Sequence, residues 1–146
     1  MNKINVTDAR KDMSTFFDNV IHEKPIILKK RKYEAVLIEK SLLNVFLSAQ
    51  KIVVKTVLSE AKKVIVTAPL FEIFAEGESR VEAIENLCVA LFEYAHEVYN
   101  NFMFYYYGQN IKEKLGYIFH ILLCEDNEQL KEIMDFQSKT KKSQKQ

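Results

Sequence analysis

The sequence predicts an α+β protein in two parts, followed by a short polar tail. Three observations carry this. Between residues 4 and 40, apolar residues at helical spacing are flanked by short β-prone runs. From residue 51, β-branched runs alternate with turn residues until Ser79, where a long helical pattern begins. Charge divides the chain in the same way. Residues 1–55 carry 11 Lys and Arg against 6 Asp and Glu, residues 56–137 carry 6 against 14, and residues 138–146 carry four Lys and no acid. Blocks of +5, −8 and +4 give the net charge of +1. A basic front and an acidic back fit two kinds of partner, although such an imbalance also occurs in two-part proteins without that meaning. The expected boundaries are 1–50, 51–137 and 138–146.

Composition excludes several classes. A hydrophobic fraction of 48% is enough for a real core. No apolar run reaches 18 residues, so no membrane span is expected. The start, MNKINVTDARKD, lacks the apolar centre of a signal peptide, so a cytoplasmic protein is expected. Cys88 and Cys124 fall in apolar helical patterns and read as buried thiols, not as a disulfide framework.

In chain order, Ile4–Val6 reads as a short strand. Thr7 is the expected N-cap, with Asp8 favouring the positive end of the helix behind it. Ala9, Met13, Phe16, Phe17, Val20 and Ile21 recur at steps of three and four, which predicts one apolar face of a helix over 8–22. Arg10, Lys11, Ser14 and Asp18 lie off that face. Arg10 sits in the first turn, where the helix dipole disfavours a cation; a residue placed against its local preference can have another job. Pro25 ends the helical run and opens a strand over 25–28. Lys29–Lys32 reads as a tight basic turn, Ala35–Ile38 as the return strand. Ser41 opens a second helix with Leu42, Leu43, Phe46 and Leu47 on its apolar side.

This order of elements, with its T-D-A-R-K-D helix start, basic turn, A-V-L-I strand and S-L-L-N helix, resembles the N-terminal domain of the Phd/YefM antitoxin family over roughly residues 1–48. The resemblance implies a homodimer that binds operator DNA, represses its own operon and neutralises a co-encoded toxin. It makes Arg10 the DNA-contacting arginine and puts Arg31 in the basic turn. The family turn often carries a glycine, where this chain has Lys32-Tyr33-Glu34. The candidate DNA-binding residues are Thr7, Arg10, Lys11, Ser14, Lys29, Lys30 and Arg31. Arginine can pair bidentately with a guanine edge or a phosphate, while lysine supplies sequence-independent phosphate attraction. Without the surrounding pattern, Lys29–Lys32 would read as a solvated hairpin turn.

Lys51–Leu58 and Lys63–Thr67 read as strands joined by a turn at Ser59-Glu60-Ala61, and Leu70–Phe74 as a third strand. Ser79 and Glu82 form an S-x-x-E capping box, with Gly77 suited to the sharp turn before it. Ala83, Leu87, Val89, Ala90, Leu91, Tyr94 and Ala95 face inward on the helix that follows. This run resembles the strand–strand–strand–helix core of HicB-like antitoxin domains over residues 51–100, with Glu76 as the acid often found before the turn glycine. The capping mechanism accounts for the signature as structure, so it shows no binding function by itself.

Asn100-Asn101 is the expected helix stop. Phe102–Tyr107, FMFYYY, can be buried, dock a protein or stack nucleobases; the absence of interleaved basic residues disfavours the last. Ile111, Leu115, Ile118, Phe119, Leu122 and Leu123 mark an amphipathic helix. Asp126 caps a last helix carrying Leu130, Ile133 and Met134. The tail from Ser138 has a disordered composition. The candidate partner-binding residues are Phe102, Phe104, Tyr105, Tyr106, Ile118 and Leu122.

No Gly-rich phosphate loop, G-x-S-x-G or H-E-x-x-H is present. Cys88 and His96 stand about two helical turns apart, too far to share one ion. His120 and Cys124 have chelating spacing but no second ligand pair. No metal, cofactor or enzymatic activity is expected. The sequence thus predicts an α+β antitoxin, Phd/YefM-like at the N-terminus with a second βββα-like domain and C-terminal helices. Its expected partners are operator DNA, a second copy of itself, and a basic RelE- or Doc-like toxin masked by the acidic part. A stand-alone transcriptional regulator, with a dimerisation or ligand module as its second part, is the alternative.

Overall fold

A computed structural model describes residues 1–59, 61–108 and 110–137. The chain divides into two compact units, Met1–Phe46 and Leu47–Gln146.

The first unit pairs a three-stranded sheet with two short helices. Strand β1 (Lys3–Asn5) runs parallel to β2 (Ile26–Lys30), which forms an antiparallel hairpin with β3 (Tyr33–Leu37), in the order β1-β2-β3. A parallel pair needs a crossover connection. Helices α1 (Val6–Lys11) and α2 (Met13–His22) supply it. Ala9, Phe16, Val20 and Ile26 form the buried core, with Ile4, Leu28 and Leu37 packed against it. Helix α3 (Lys40–Leu47) ends the segment.

The predicted single helix over 8–22 is two helices. Asp12 leaves helical geometry at φ −146° and ψ 79°, and its carboxylate caps α2, accepting from the Thr15 amide at 3.1 Å and the Thr15 hydroxyl at 2.7 Å. A short acidic side chain competes with the helix for backbone donors, and here it starts a new helix. Thr7 is not a cap, because Asn5 holds that position and makes no side-chain bond. The apolar face divides accordingly. Phe16 and Val20 are buried, while Met13, Phe17 and Ile21 are exposed. Ser41 does not open α3 either: Glu39 accepts from the Leu42 amide and the Ser41 hydroxyl, both at 3.0 Å.

The second unit has a four-stranded sheet in the order β6-β5-β4-β7. Strands β4 (Ile52–Leu58), β5 (Val64–Ala68) and β6 (Ile73–Gly77) form an antiparallel meander. Helix α4 (Arg80–Asn100) lies across it and buries Ala83, Ile84, Leu87, Cys88, Leu91, Ala95 and Val98. Burying one such Leu fully is worth about 1.5–3 kcal/mol. Val89, expected inside, is 49% exposed. Helices α5 (Phe102–Gly108), α6 (Leu115–Leu123) and α7 (Asn127–Glu132) follow.

The capping box at α4 forms with a shift of one residue. The Glu82 amide donates to Ser79 Oγ at 3.2 Å, while the Glu82 carboxylate accepts from the Glu78 amide, not from that of Ser79. Gly77 has no positive φ. It is glycine because the helix start comes close: a Cβ there would lie 2.6 Å from the Ala83 nitrogen.

Two further expectations are corrected. The segment at Leu70 is a 3-10 turn over Pro69–Phe71, and the third strand begins at Ile73. Proline at the first position favours that turn. Ile133 and Met134 are not in a helix. Met134–Gln137 is strand β7, parallel to β4, and Met134 pairs with Ile52. Both residues continue the helical period from Leu130, which concealed the strand. Residue 60 of the expected turn at 59–61 and the whole predicted disordered tail, 138–146, lie outside the described residues.

Candidate functional site

In the first unit the sequence concentrates cations at one hairpin. Lys29 and Lys30 extend β2, and the loop proper is only Arg31 and Lys32, because Lys30 already pairs with Tyr33. The parallel pairing of β1 sets Asn5 beside Lys29. The start of α1 therefore lies next to the basic hairpin. Asn5, Val6, Thr7 and Asp8 together with Lys29, Lys30 and Arg31 line an open cleft of about 380 Å³.

Of the predicted DNA-binding residues, Thr7, Lys29, Lys30 and Arg31 meet in this cleft. Arg10, Lys11 and Ser14 do not line it; they are exposed on α1 and α2. Asn5 and Asp8 were not anticipated. Their place depends on β1 pairing with a strand more than twenty residues away, which no local pattern announces.

The electrostatics leave this face positive. Lys3 Nζ pairs with Glu34 at 2.9 Å, and that hydrogen bond holds the Glu34 carboxyl below its usual range, with a smaller contribution from Lys29. Lys11 Nζ lies 3.2 Å from Asp8. Among the described residues, Arg10, Lys29, Lys30 and Arg31 have no ion-pair partner, so their charge is open to an external anion.

In the second unit the aromatic run forms α5, and none of its residues is fully buried. Phe102 stacks on Tyr106 at 5.7 Å and touches Phe119 at 6.2 Å. Lys112 Nζ lies 4.9 Å from the centre of the Tyr106 ring. Tyr105 packs against the core and donates its hydroxyl to Glu97 at 3.5 Å. Phe104 is 64% exposed. The expectation that Ile118 contacts a partner is corrected: it is a core residue of α6, out of reach from outside, and Leu122 is half-buried against the same core. Helix α6 is apolar on more than one side, so periodicity did not separate inner from outer positions. Tyr99 was not anticipated as a surface residue; it is exposed at four-residue spacing with Met103 and Tyr107 of the aromatic run.

The histidines and cysteines have structural surroundings. His96 Nδ1 is 2.8 Å from the Phe92 carbonyl, and His120 Nδ1 is 2.9 Å from that of Gln50. Cys124 Sγ donates to the His120 carbonyl at 3.3 Å. Burial pushes the Cys88 thiol up to about 11, which keeps it protonated and inert. An open cleft of about 650 Å³ is lined by His96, Cys124, Glu125, Asp126 and Glu128. Among the described residues no group of three or more His, Cys, Asp or Glu is placed to hold a metal, and no helix is long and apolar enough to cross a membrane.

The first unit carries an exposed basic face, and the second carries an exposed aromatic helix within the acidic stretch 56–137. Comparison with known proteins identifies the class. The PHD-like family, described as antitoxin of toxin–antitoxin, RelE/RelB, TA system, matches residues 1–136, and the chain belongs to it. It is therefore a non-enzymatic regulatory protein with a cognate toxin as partner. No curated protein matches significantly. The chain is similar to a crystal structure from Syntrophomonas wolfei subsp. wolfei, described as an antitoxin part of a toxin/antitoxin system. The two share 27% identity with a TM-score of 0.85, over 95% of this chain and all of that one.

Proposed function

We propose that this antitoxin binds operator DNA as a homodimer through the basic face of its first unit, represses its own operon, and neutralises its toxin through its second unit. The observation that carries the reading is the cleft that joins Thr7 to Lys29, Lys30 and Arg31, with Arg10 exposed further along the helix that holds Thr7. The first unit has a Phd/YefM-type order of elements, and the second a HicB-like strand–strand–strand–helix order. Exposed Met13, Phe17 and Ile21 on α2 supply an apolar stripe for dimerisation. A dimer doubles a basic face too small to bind DNA firmly alone and reads a palindromic site.

The toxin is of the RelE kind, in keeping with the family description, with a Doc-like toxin as the other candidate. Phe102, Phe104, Tyr105 and Tyr106 mark the docking region, and the net −8 over 56–137 suits a basic partner. The test is a gel shift with duplex DNA from upstream of the gene. Binding should occur at low salt and fall steeply as salt rises. Binding unchanged by Arg10→Ala combined with Arg31→Ala would sink the DNA reading.

A further inference from the structure

We propose that the backbone at Arg31 is a positioning device: it holds a guanidinium at the hairpin tip for a nucleic-acid contact, at the expense of stability. The proposal rests on the DNA-binding reading above and goes beyond it in assigning a distinct role to one residue. The β2–β3 hairpin closes with a two-residue loop, since Lys30 pairs with Tyr33. Such loops need a positive φ at the first central position, which Gly, Asn or Asp normally provides. Here that position is Arg31, with φ 55°. A long side chain on a left-handed backbone brings its Cβ against the following carbonyl. The chain thus breaks a local rule where a glycine would satisfy it.

Two other non-glycine residues have positive φ, Lys62 at 61° and Glu72 at 55°. Each closes a local turn: the Lys62 amide donates to the Ser59 carbonyl and the Glu72 amide to that of Pro69, both at 3.1 Å. Positive φ alone therefore marks no site. Arg31 differs in what surrounds it. Among the described residues it alone combines positive φ with a place in the basic cleft. Its guanidinium has no ion pair or side-chain hydrogen bond among them. Two acids close by are engaged elsewhere, Glu34 with Lys3 and Asp8 with Lys11. Lys62 and Glu72 also lack a side-chain partner among the described residues, so the cleft is what sets Arg31 apart: there a strained arginine stands beside Lys29 and Lys30, placed to meet an anion from outside. The planar fork of arginine, and not the point charge of lysine, suits bidentate contact with a base edge or phosphate.

The test uses the full chain and the variants Arg31→Gly and Arg31→Lys. Urea unfolding is followed by circular dichroism, and binding by fluorescence anisotropy with the upstream duplex and with an unrelated duplex. Arg31→Gly should raise the folding equilibrium constant roughly two- to fivefold, by relief of the left-handed strain, and yet weaken upstream-duplex binding at least about tenfold. Arg31→Lys should keep wild-type stability and lose most of the preference for the upstream duplex. No gain in stability for Arg31→Gly, or wild-type binding by Arg31→Lys, overturns the proposal and leaves the broader reading standing. Failure of the wild-type chain to bind either duplex overturns both.

Discussion

The imidazole Nδ1 of His120 lies 2.9 Å from the backbone carbonyl oxygen of Gln50, seventy residues earlier in the chain. One turn before it on α6, Gly116 leaves room for the Gln50 side chain, which would lie 3.4 Å from any added Cβ. His120 is the one buried polar side chain among the described residues, and it fastens the lead-in to β4 onto α6. Replacing it by alanine leaves a void and an unpaired carbonyl. We expect His120→Ala to lose about 1–3 kcal/mol of stability. Urea denaturation checks this; an unchanged midpoint would mean that the bond contributes nothing.

The glycines make opposite predictions. A Cβ at Gly77 meets the Ala83 nitrogen and Glu82 Cβ at 2.6 and 2.9 Å, whereas one at Gly108 meets nothing within 4 Å. Gly77→Ala must push α4 off β6 and should cost about 1–3 kcal/mol. Gly108→Ala lies at the end of α5 and should be neutral or gain up to about 1 kcal/mol. Thermal unfolding of the two variants side by side distinguishes them.

Helix α7 is tied to α4 by charge. Lys131 Nζ contacts Glu85 and also lies 2.8 Å from Glu128, and Asn127 donates to Glu85. Hydrogen bonds from Lys131 and Asn127 hold the Glu85 carboxyl below 4.5, while those to Glu128 and Glu85 raise the Lys131 ammonium above 10.5. A depressed carboxyl contributes stability that is present above its unfolded value and lost as pH falls through the folded value. A raised ammonium contributes stability that is present below its unfolded value and lost as pH rises through the folded one. The wild type should therefore lose stability in acid more steeply than Glu85→Gln does. Urea midpoints between about pH 6 and pH 3 provide the measurement; parallel profiles would contradict it.

Dimerisation puts the α2 stripe under test. Phe17 is 55% exposed, so Phe17→Lys leaves the core intact and should fold normally. If Met13, Phe17 and Ile21 meet a second copy, sedimentation should show a monomer, and DNA affinity should fall because a monomer reaches one half-site only. A Phe17→Lys protein that remains dimeric rules this face out.

A further consequence concerns salt. Each lysine–phosphate pairing that is removed should lower the steepness of log K against log salt by about 0.9. Lys29→Ala and Lys30→Ala should do so and weaken related and unrelated duplexes alike. An unchanged slope would remove the lysine concerned from the phosphate-binding set.

Local chemistry made much of this molecule legible. The α+β class, the helix breaker at Pro25, the Ser79 cap of α4, the Asp126 cap of α7 and the basic hairpin each depend on neighbours within a few residues, so sequence alone conveyed them. What it could not convey depends on partners distant in the chain. Asp12 is the local exception, hidden by the apolar period: its cap on Thr15 splits a helix that periodicity draws as continuous. Met134–Gln137 is a strand only because β4 is there to pair with it. Ile118 and Phe119 are adjacent, yet one is core and the other partly exposed. The candidate site has the same division. Arg31 and its lysine neighbours are visible as a charge cluster, but the cleft exists because β1 runs parallel to β2 and brings Asn5 and Thr7 alongside. The left-handed backbone of Arg31 follows from strand register, a property of two strands and not of one residue.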